Sequence, residues 1–279
     1  MPASLDSILA ATRRRLSQRR GGADISALER AAEEHRPRGF RRQLELVSRE
    51  GMAVIAELKK ASPSKGLIRA DFEPAGLARE LAQSGAAALS VLTDEEFFQG
   101  SLANLREASA ATTLPCLRKD FIVDEFQIVE ARANAADAIL LIVAALDQKE
   151  LVGLSKCARA QHLDVLCETH DEREIERALD AGCDLIGVNS RDLRTFEVNL
   201  KTAVRLAEHI PENCLAVAES GISCGVDVAN LRDAGYDAFL IGESLMTEKD
   251  PGEALAKLLR DGDLEIESSK LAARGSKPS

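Results

Sequence analysis

Glu57, Lys59, Lys119, Glu168, Asn189 and Glu219 could together perform acid–base chemistry, because each closes a short apolar run in the same way. An apolar or small residue stands two positions before each run's end: Ile55 before Glu57, Leu117 before Lys119, Leu166 before Glu168, Gly187 before Asn189, Val217 before Glu219, and Leu240 before Gly242. Side chains two apart on a strand share a face, so the charges are expected to emerge on one side of a sheet. Glu57 with Lys59 alone reads as a structural ion pair beside a loop. Recurrence on later strands changes that reading to two ammonium groups and three carboxylates in one partly dry cavity. Burial and neighbouring charge there shift pKa values and suit a lysine to act as acid and a glutamate as base. A phosphate subsite is expected beside them, from Glu219-Ser220-Gly221-Ile222 and Ile241-Gly242-Glu243-Ser244, where glycines let backbone N–H groups approach an anion.

These residues need eight strands to hold them, and the chain supplies eight. After Ala53–Lys59 a regular alternation begins, with helices that start at Pro74 or Asp124 and stop at Gly85, Gly182 or Gly235. Asp124 with Gln127, and Asp147 with Glu150, have capping-box spacing. Ala138-Ile139-Leu140-Leu141-Ile142-Val143 is apolar on both faces, as a covered parallel strand should be. Strands spaced by roughly 20–35 residues, each followed by a helix, fit a single-domain (βα)8 TIM barrel. A doubly wound open sheet is the runner-up, although no G-x-G-x-x-G follows the first strand. The expected layout is an N-terminal helical extension over 1–50, the barrel over 51–260 with a last helix from Pro251 to about Leu259, and a frayed polar tail over 261–279.

Composition narrows the function. A net charge of −10 and 3% aromatics give no basic stripe or stacking platform for nucleic acid. Residues 1–50 hold eleven Arg against seven acids, which reads as a solvated helix face, since Asp6, Asp24, Glu29, Glu33 and Glu34 are foreign to a transit peptide. No apolar run has membrane-spanning length, so a cytoplasmic protein is expected. Cys116, Cys157, Cys167, Cys183, Cys214 and Cys224 lack zinc-ligand spacing and read as reduced packing residues. His35, His162, His170 and His209 do not sit where a nucleophile could use them. Neither metal nor cofactor is expected, because two lysines intrude among the three carboxylates.

The segments Ala56-Glu57-Leu58-Lys59-Lys60-Ala61-Ser62-Pro63-Ser64-Lys65-Gly66, Leu117-Arg118-Lys119-Asp120-Phe121-Ile122, Gly187-Val188-Asn189-Ser190-Arg191-Asp192-Leu193, Ala218-Glu219-Ser220-Gly221-Ile222 and Leu240-Ile241-Gly242-Glu243-Ser244-Leu245-Met246 resemble, in order, the motifs of indole-3-glycerol-phosphate synthases. The resemblance implies a lyase of tryptophan biosynthesis that closes the ring of 1-(2-carboxyphenylamino)-1-deoxyribulose 5-phosphate, releasing carbon dioxide and water. It implies Lys119 as the acid for the ribulose carbonyl oxygen and Glu168 as the base of the later dehydration. Lys59 would contact the phosphate and share acid duty, while Glu57, Glu219 and Asn189 hold the lysines and substrate hydroxyls. Ser62 and Arg191 would place the anthranilate part near Phe98, with Ser220 and Leu240 also against the substrate. Gly221, Gly242 and Glu243 would offer phosphate-binding amides, Glu243 standing where many relatives have serine, and the helical extension would help cover the mouth. A monomer acting on a small phosphorylated molecule is expected. Two other readings stay open: an isomerase-like barrel, which would need Cys and Asp on its working strands, and an inactive barrel that only binds a phosphorylated metabolite or a protein.

Overall fold

The computed structural model describes residues 4–192, 195 and 197–275, with side chains through Ile266. Leu193 of the third motif lies outside the described residues. Eight parallel strands close into a barrel in sequence order: β1 (Ala53–Leu58), β2 (Ala88–Leu92), β3 (Cys116–Lys119), β4 (Ala138–Ile142), β5 (Asp164–Thr169), β6 (Leu185–Asn189), β7 (Leu215–Glu219) and β8 (Ala238–Ile241). Closure is made by β1, which pairs Ile55 with Leu240 of β8 and with Ala88 of β2.

Strand parity divides the apolar residues into two cores. Ile55, Leu117, Leu140, Leu166, Val217 and Leu240 fill the lumen, whereas Val54, Ala56, Leu58, Ile139, Leu141 and Ile241 face the surrounding helices. The alternation therefore sends Glu57, Lys119, Glu168, Asn189 and Glu219 to the lumen side, above its apolar floor.

Three helices precede the barrel: α1 (Leu5–Gly22), α2 (Ile25–Glu34) and α3 (Phe40–Glu50). They serve opposite ends of it. α1 brings Leu5 and Ile8 to the cavity at the mouth. α3 places Phe40 and Leu44, both 0% exposed, in the lumen cluster with Ala53, Leu185 and Leu215, closing the other end. Each of those two side chains contributes about 1.5–3 kcal/mol of burial. The extension is thus part cover and part plug.

The remaining helices are α4 (Pro74–Gln83), α5 (Glu95–Phe98), α6 (Leu102–Ala111), α7 (Glu125–Ala133), α8 (Gln148–Ala160), α9 (Glu172–Asp180), α10 (Leu200–Leu206), α11 (Gly225–Asp233), α12 (Glu243–Met246) and α13 (Pro251–Gly275). Two local expectations are corrected. Asp147 and Glu150 form their capping box, but Gln127 and Asp124 do not close one: the Gln127 side-chain oxygen accepts from the Val123 N–H at 2.9 Å, and the Asp124 side chain caps the Phe126 N–H. The last helix continues well past Leu259, because Leu258, Gly262 and Ile266 are buried at helical spacing. Gly262 there lets α13 approach Gly225 of α11 so closely that a Cβ on Gly225 would lie 2.4 Å from the Gly262 nitrogen.

Candidate active site

Lys119 ends β3 and reaches across the mouth, its Nζ 2.9 Å from Glu168 Oε2 on β5 and 3.6 Å from Glu219 Oε2 on β7. Just past β1, Lys59 Nζ donates to Glu57 Oε1 at 2.8 Å, and the other Glu57 oxygen accepts from the Ser90 hydroxyl of β2 at 3.3 Å. Asn189 of β6 hydrogen-bonds the Glu168 carboxylate through its side chain, and its Oδ1 accepts the Arg191 backbone N–H at 3.0 Å. The three glutamates are each 4% exposed or less. All six residues line one cavity together with Ser62, Phe98, Arg191, Ser220, Leu240 and Glu243.

Close packing of unlike charges separates the protonation states. Burial opposes charge on Lys119, but Glu168, Glu219 and Glu57 surround it and hold it as a firmly protonated ammonium. Burial also opposes charge on Glu168, yet Lys119 and His170 outweigh it and bring that carboxyl down to about 2. Glu219 goes the other way, to about 8: burial dominates, Lys119 opposes it, and the charges of Glu168 and Glu57 add to the rise. Glu57 remains below its ordinary value, the cost of burial being offset by Lys59 and Lys119. Around one ammonium, Glu168 is therefore ready to accept a proton while Glu219 holds one at neutral pH. Such divergence between neighbouring carboxyls is the usual mark of an acid–base site.

A second recess adjoins this cavity. It shares Glu57, Lys59, Arg191, Ser220, Leu240 and Glu243 with it and adds Gly221, Gly242 and Ser244. Ser220 and Gly221 both have positive φ, 66° and 84°, which turns the chain sharply after β7. A Cβ at Gly221 would meet Val198 Cγ1 at 2.5 Å, and one at Gly242 would meet Glu57 Oε1 at 2.7 Å, so both positions require glycine for space. The Glu243 carboxylate turns to Arg191 at 3.4 Å and Lys65 at 3.7 Å.

Four features of the site were not anticipated. Ser90, fully buried on β2, braces Glu57. Asp94 caps α5, the element that carries Phe98, by accepting the Phe97 N–H at 2.7 Å, and it is paired with Arg15 of α1. Arg118 lies behind Lys119, completely buried, donating to Thr93, Asp120 and the Gln127 carbonyl. It also pairs with Glu130, which reaches Arg19 of α1 at 3.4 Å. His170 stands between Glu168 and Glu174. Its signal was present in the sequence: it lies two residues beyond Glu168, on the same face.

The family model for indole-3-glycerol phosphate synthase matches residues 5–258. An indole-3-glycerol phosphate synthase of Koribacter versatilis is 57% identical over 259 residues, 93% of this chain and 100% of that protein. One of Burkholderia ambifaria is 49% identical over 255 residues, covering 91% and 98%. Among solved structures, a thiamine phosphate pyrophosphorylase from Pyrococcus furiosus matches with a TM-score of 0.59 at 16% identity, covering 79% of this chain and 98% of that one. A mandelate oxidase matches at 0.55 and 17%, covering 78% and 74%. Those two likenesses show the barrel fold alone. The sequence relatives, by contrast, carry the likeness through the whole barrel and into α1, and on that ground the chain belongs to the indole-3-glycerol phosphate synthases, lyases of tryptophan biosynthesis.

Proposed function

We propose that ring closure of 1-(2-carboxyphenylamino)-1-deoxyribulose 5-phosphate takes place in this mouth, with Lys119 as the acid at the ribulose carbonyl oxygen and Glu168 as the base of the dehydration. The observation that carries this is the 2.9 Å contact between a firmly protonated lysine and an ionised glutamate in one cavity. Ring closure needs an acid where negative charge develops on oxygen, and dehydration needs a base across the same site. Glu57 orients Lys59 between the two recesses, which suits Lys59 to meet the substrate phosphate and to share acid duty. Glu219 and Asn189 hold Lys119 and Glu168 in register and offer hydrogen bonds to substrate hydroxyls. Ser62 and Phe98 line the first recess alone and Arg191 lines both, which suits them to place the anthranilate part, while Ser220 and Leu240, shared by the two recesses, would contact the substrate between its ends. Backbone amides at Gly221, Gly242 and Glu243 take the phosphate, since the Glu243 carboxylate is drawn aside by Arg191 and Lys65.

We take the monomer as the catalytic unit, because one chain closes its own barrel and supplies the acid, the base and the cationic anchor that the reaction needs. Its six cysteines are free thiols, which suits a reducing cytoplasm. No helix among the described residues is long and apolar enough to cross a membrane.

The test is indole fluorescence after adding the substrate to wild type and Lys119→Ala, with inorganic phosphate binding measured in parallel. We expect the variant to lose about 10²–10⁴-fold in kcat with phosphate affinity kept. Equal turnover by both proteins would overturn the assignment of the acid.

A further inference from the structure

His170 lies half-buried behind Glu168, without a role in the chemistry described so far. Its backbone N–H and its ring Nδ1 both meet Glu174 Oε2, at 2.8 and 3.0 Å, which fixes the ring's orientation. Nε2 is then aimed inward, 3.6 Å from Glu168 Oε1, and that buried nitrogen has no hydrogen-bond partner. Glu168 Oε2 in turn meets Lys119. A continuous line of titratable groups therefore runs from Glu174 on α9, through His170 and Glu168, to the general acid. The charged groups facing the imidazole are Glu174 from α9, Glu168 from β5 and Glu219 from β7, with Lys119 behind Glu168. Burial opposes charge on the ring, but these three carboxylates prevail and raise its proton affinity above the ordinary histidine value.

The net reaction needs such a line. A substrate carboxylate leaves as neutral carbon dioxide and its bonding electrons return to the ring, while the ribulose oxygen takes up two protons to leave as water and the adjacent C1 gives back only one. One proton per turnover must enter from solvent. We propose that His170 is its inlet, a positioning and proton-relay residue acting through Glu168. The Nε2–H bond breaks as an O–H bond forms on Glu168. That O–H then breaks as an N–H bond forms on the amine left after Lys119 has protonated the substrate, and solvent restores the imidazolium between turnovers. The 3.6 Å gap closes to hydrogen-bond distance with a side-chain shift of less than an ångström.

This inlet rests on the assignment of Glu168, and the experiment separates the two. His170→Gln, Glu174→Gln and Glu168→Gln are assayed with the carboxyphenylamino-deoxyribulose phosphate, with and without added imidazole. For His170→Gln we expect kcat to fall about tenfold, KM to stay within about twofold, and imidazole to restore much of the loss, as proton transfer by an external carrier should. Glu174→Gln keeps the ring but weakens its hold on a proton, so the alkaline half-point of kcat should move to lower pH. This second variant decides the matter should His170→Gln fail to fold. Full turnover by His170→Gln, a loss that imidazole leaves untouched, or an unmoved Glu174→Gln profile overturns the inlet while Glu168→Gln remains inactive. Full turnover by Glu168→Gln would instead overturn the role of Glu168.

Discussion

Lys119 has one ammonium to share among Glu168, Glu219 and Glu57, so the three carboxyls cannot ionise at equal cost. Glu219 bears that cost, its carboxyl being raised from near 4.5 to about 8. For a group raised on folding, the stabilising contribution is complete below the unfolded value and declines as pH rises through the folded one. Glu219 therefore weakens the fold progressively between pH 4.5 and 8 and by a constant amount above that. We expect Glu219→Gln to gain in thermal midpoint over wild type across this interval, with the gain level at higher pH and activity reduced, a trade of function for stability. A gain independent of pH would show that Glu219 is ionised throughout. The residues at the ends of the apolar runs were readable because strand parity alone assigns their side. Ser90 was not, and His170 was marked only by its spacing from Glu168, because a serine inside an apolar strand and a histidine just past one look like packing until their partners are known. Those partners, Glu57 and Glu174, are 33 and four positions away.

At the scale of elements, the two ends of the barrel divide the work, as is general for this architecture. The mouth holds the charged groups and the floor holds Phe40 and Leu44 of α3. Truncating Phe40 to Ala should cost about 3–5 kcal/mol by denaturant unfolding while leaving kcat nearly intact at temperatures where the variant is folded. A comparable loss of kcat in the folded variant would mean that the plug also positions the mouth. Strand limits were legible almost to the residue, since the runs are largely apolar and five of them end at a charge or a glycine: Lys59, Lys119, Glu168, Glu219 and Gly242. The function of α3 was not, because helical spacing of Phe40, Leu44 and Val47 shows an apolar stripe but not which end of a barrel receives it. The length of α13 was not legible for a related reason: the tail beyond Leu259 is polar in composition, and only the folded packing shows that Gly262 is a close-packing site against Gly225.

Over the whole molecule, the extension is tied to the catalytic strands by charge. Arg15 pairs with Asp94 beside the Phe98 helix, and Arg19 with Glu130, which holds Arg118 behind Lys119. α1 thus anchors to the elements that carry the aromatic wall and the acid, while its Leu5 and Ile8 line the cavity. Composition revealed eleven arginines in this region and a solvated face, but arginines with buried acidic partners differ from solvated ones only through the tertiary fold. The central claim is that Lys119 and Glu168 act at successive steps in one cavity. It is tested most directly by following carbon dioxide release and indole formation together in a single turnover of wild type, Lys119→Ala and Glu168→Gln. Wild type should give both products, Lys119→Ala neither, and Glu168→Gln carbon dioxide with little indole. Carbon dioxide from Lys119→Ala at the wild-type rate, or indole from Glu168→Gln at the wild-type rate, would contradict it.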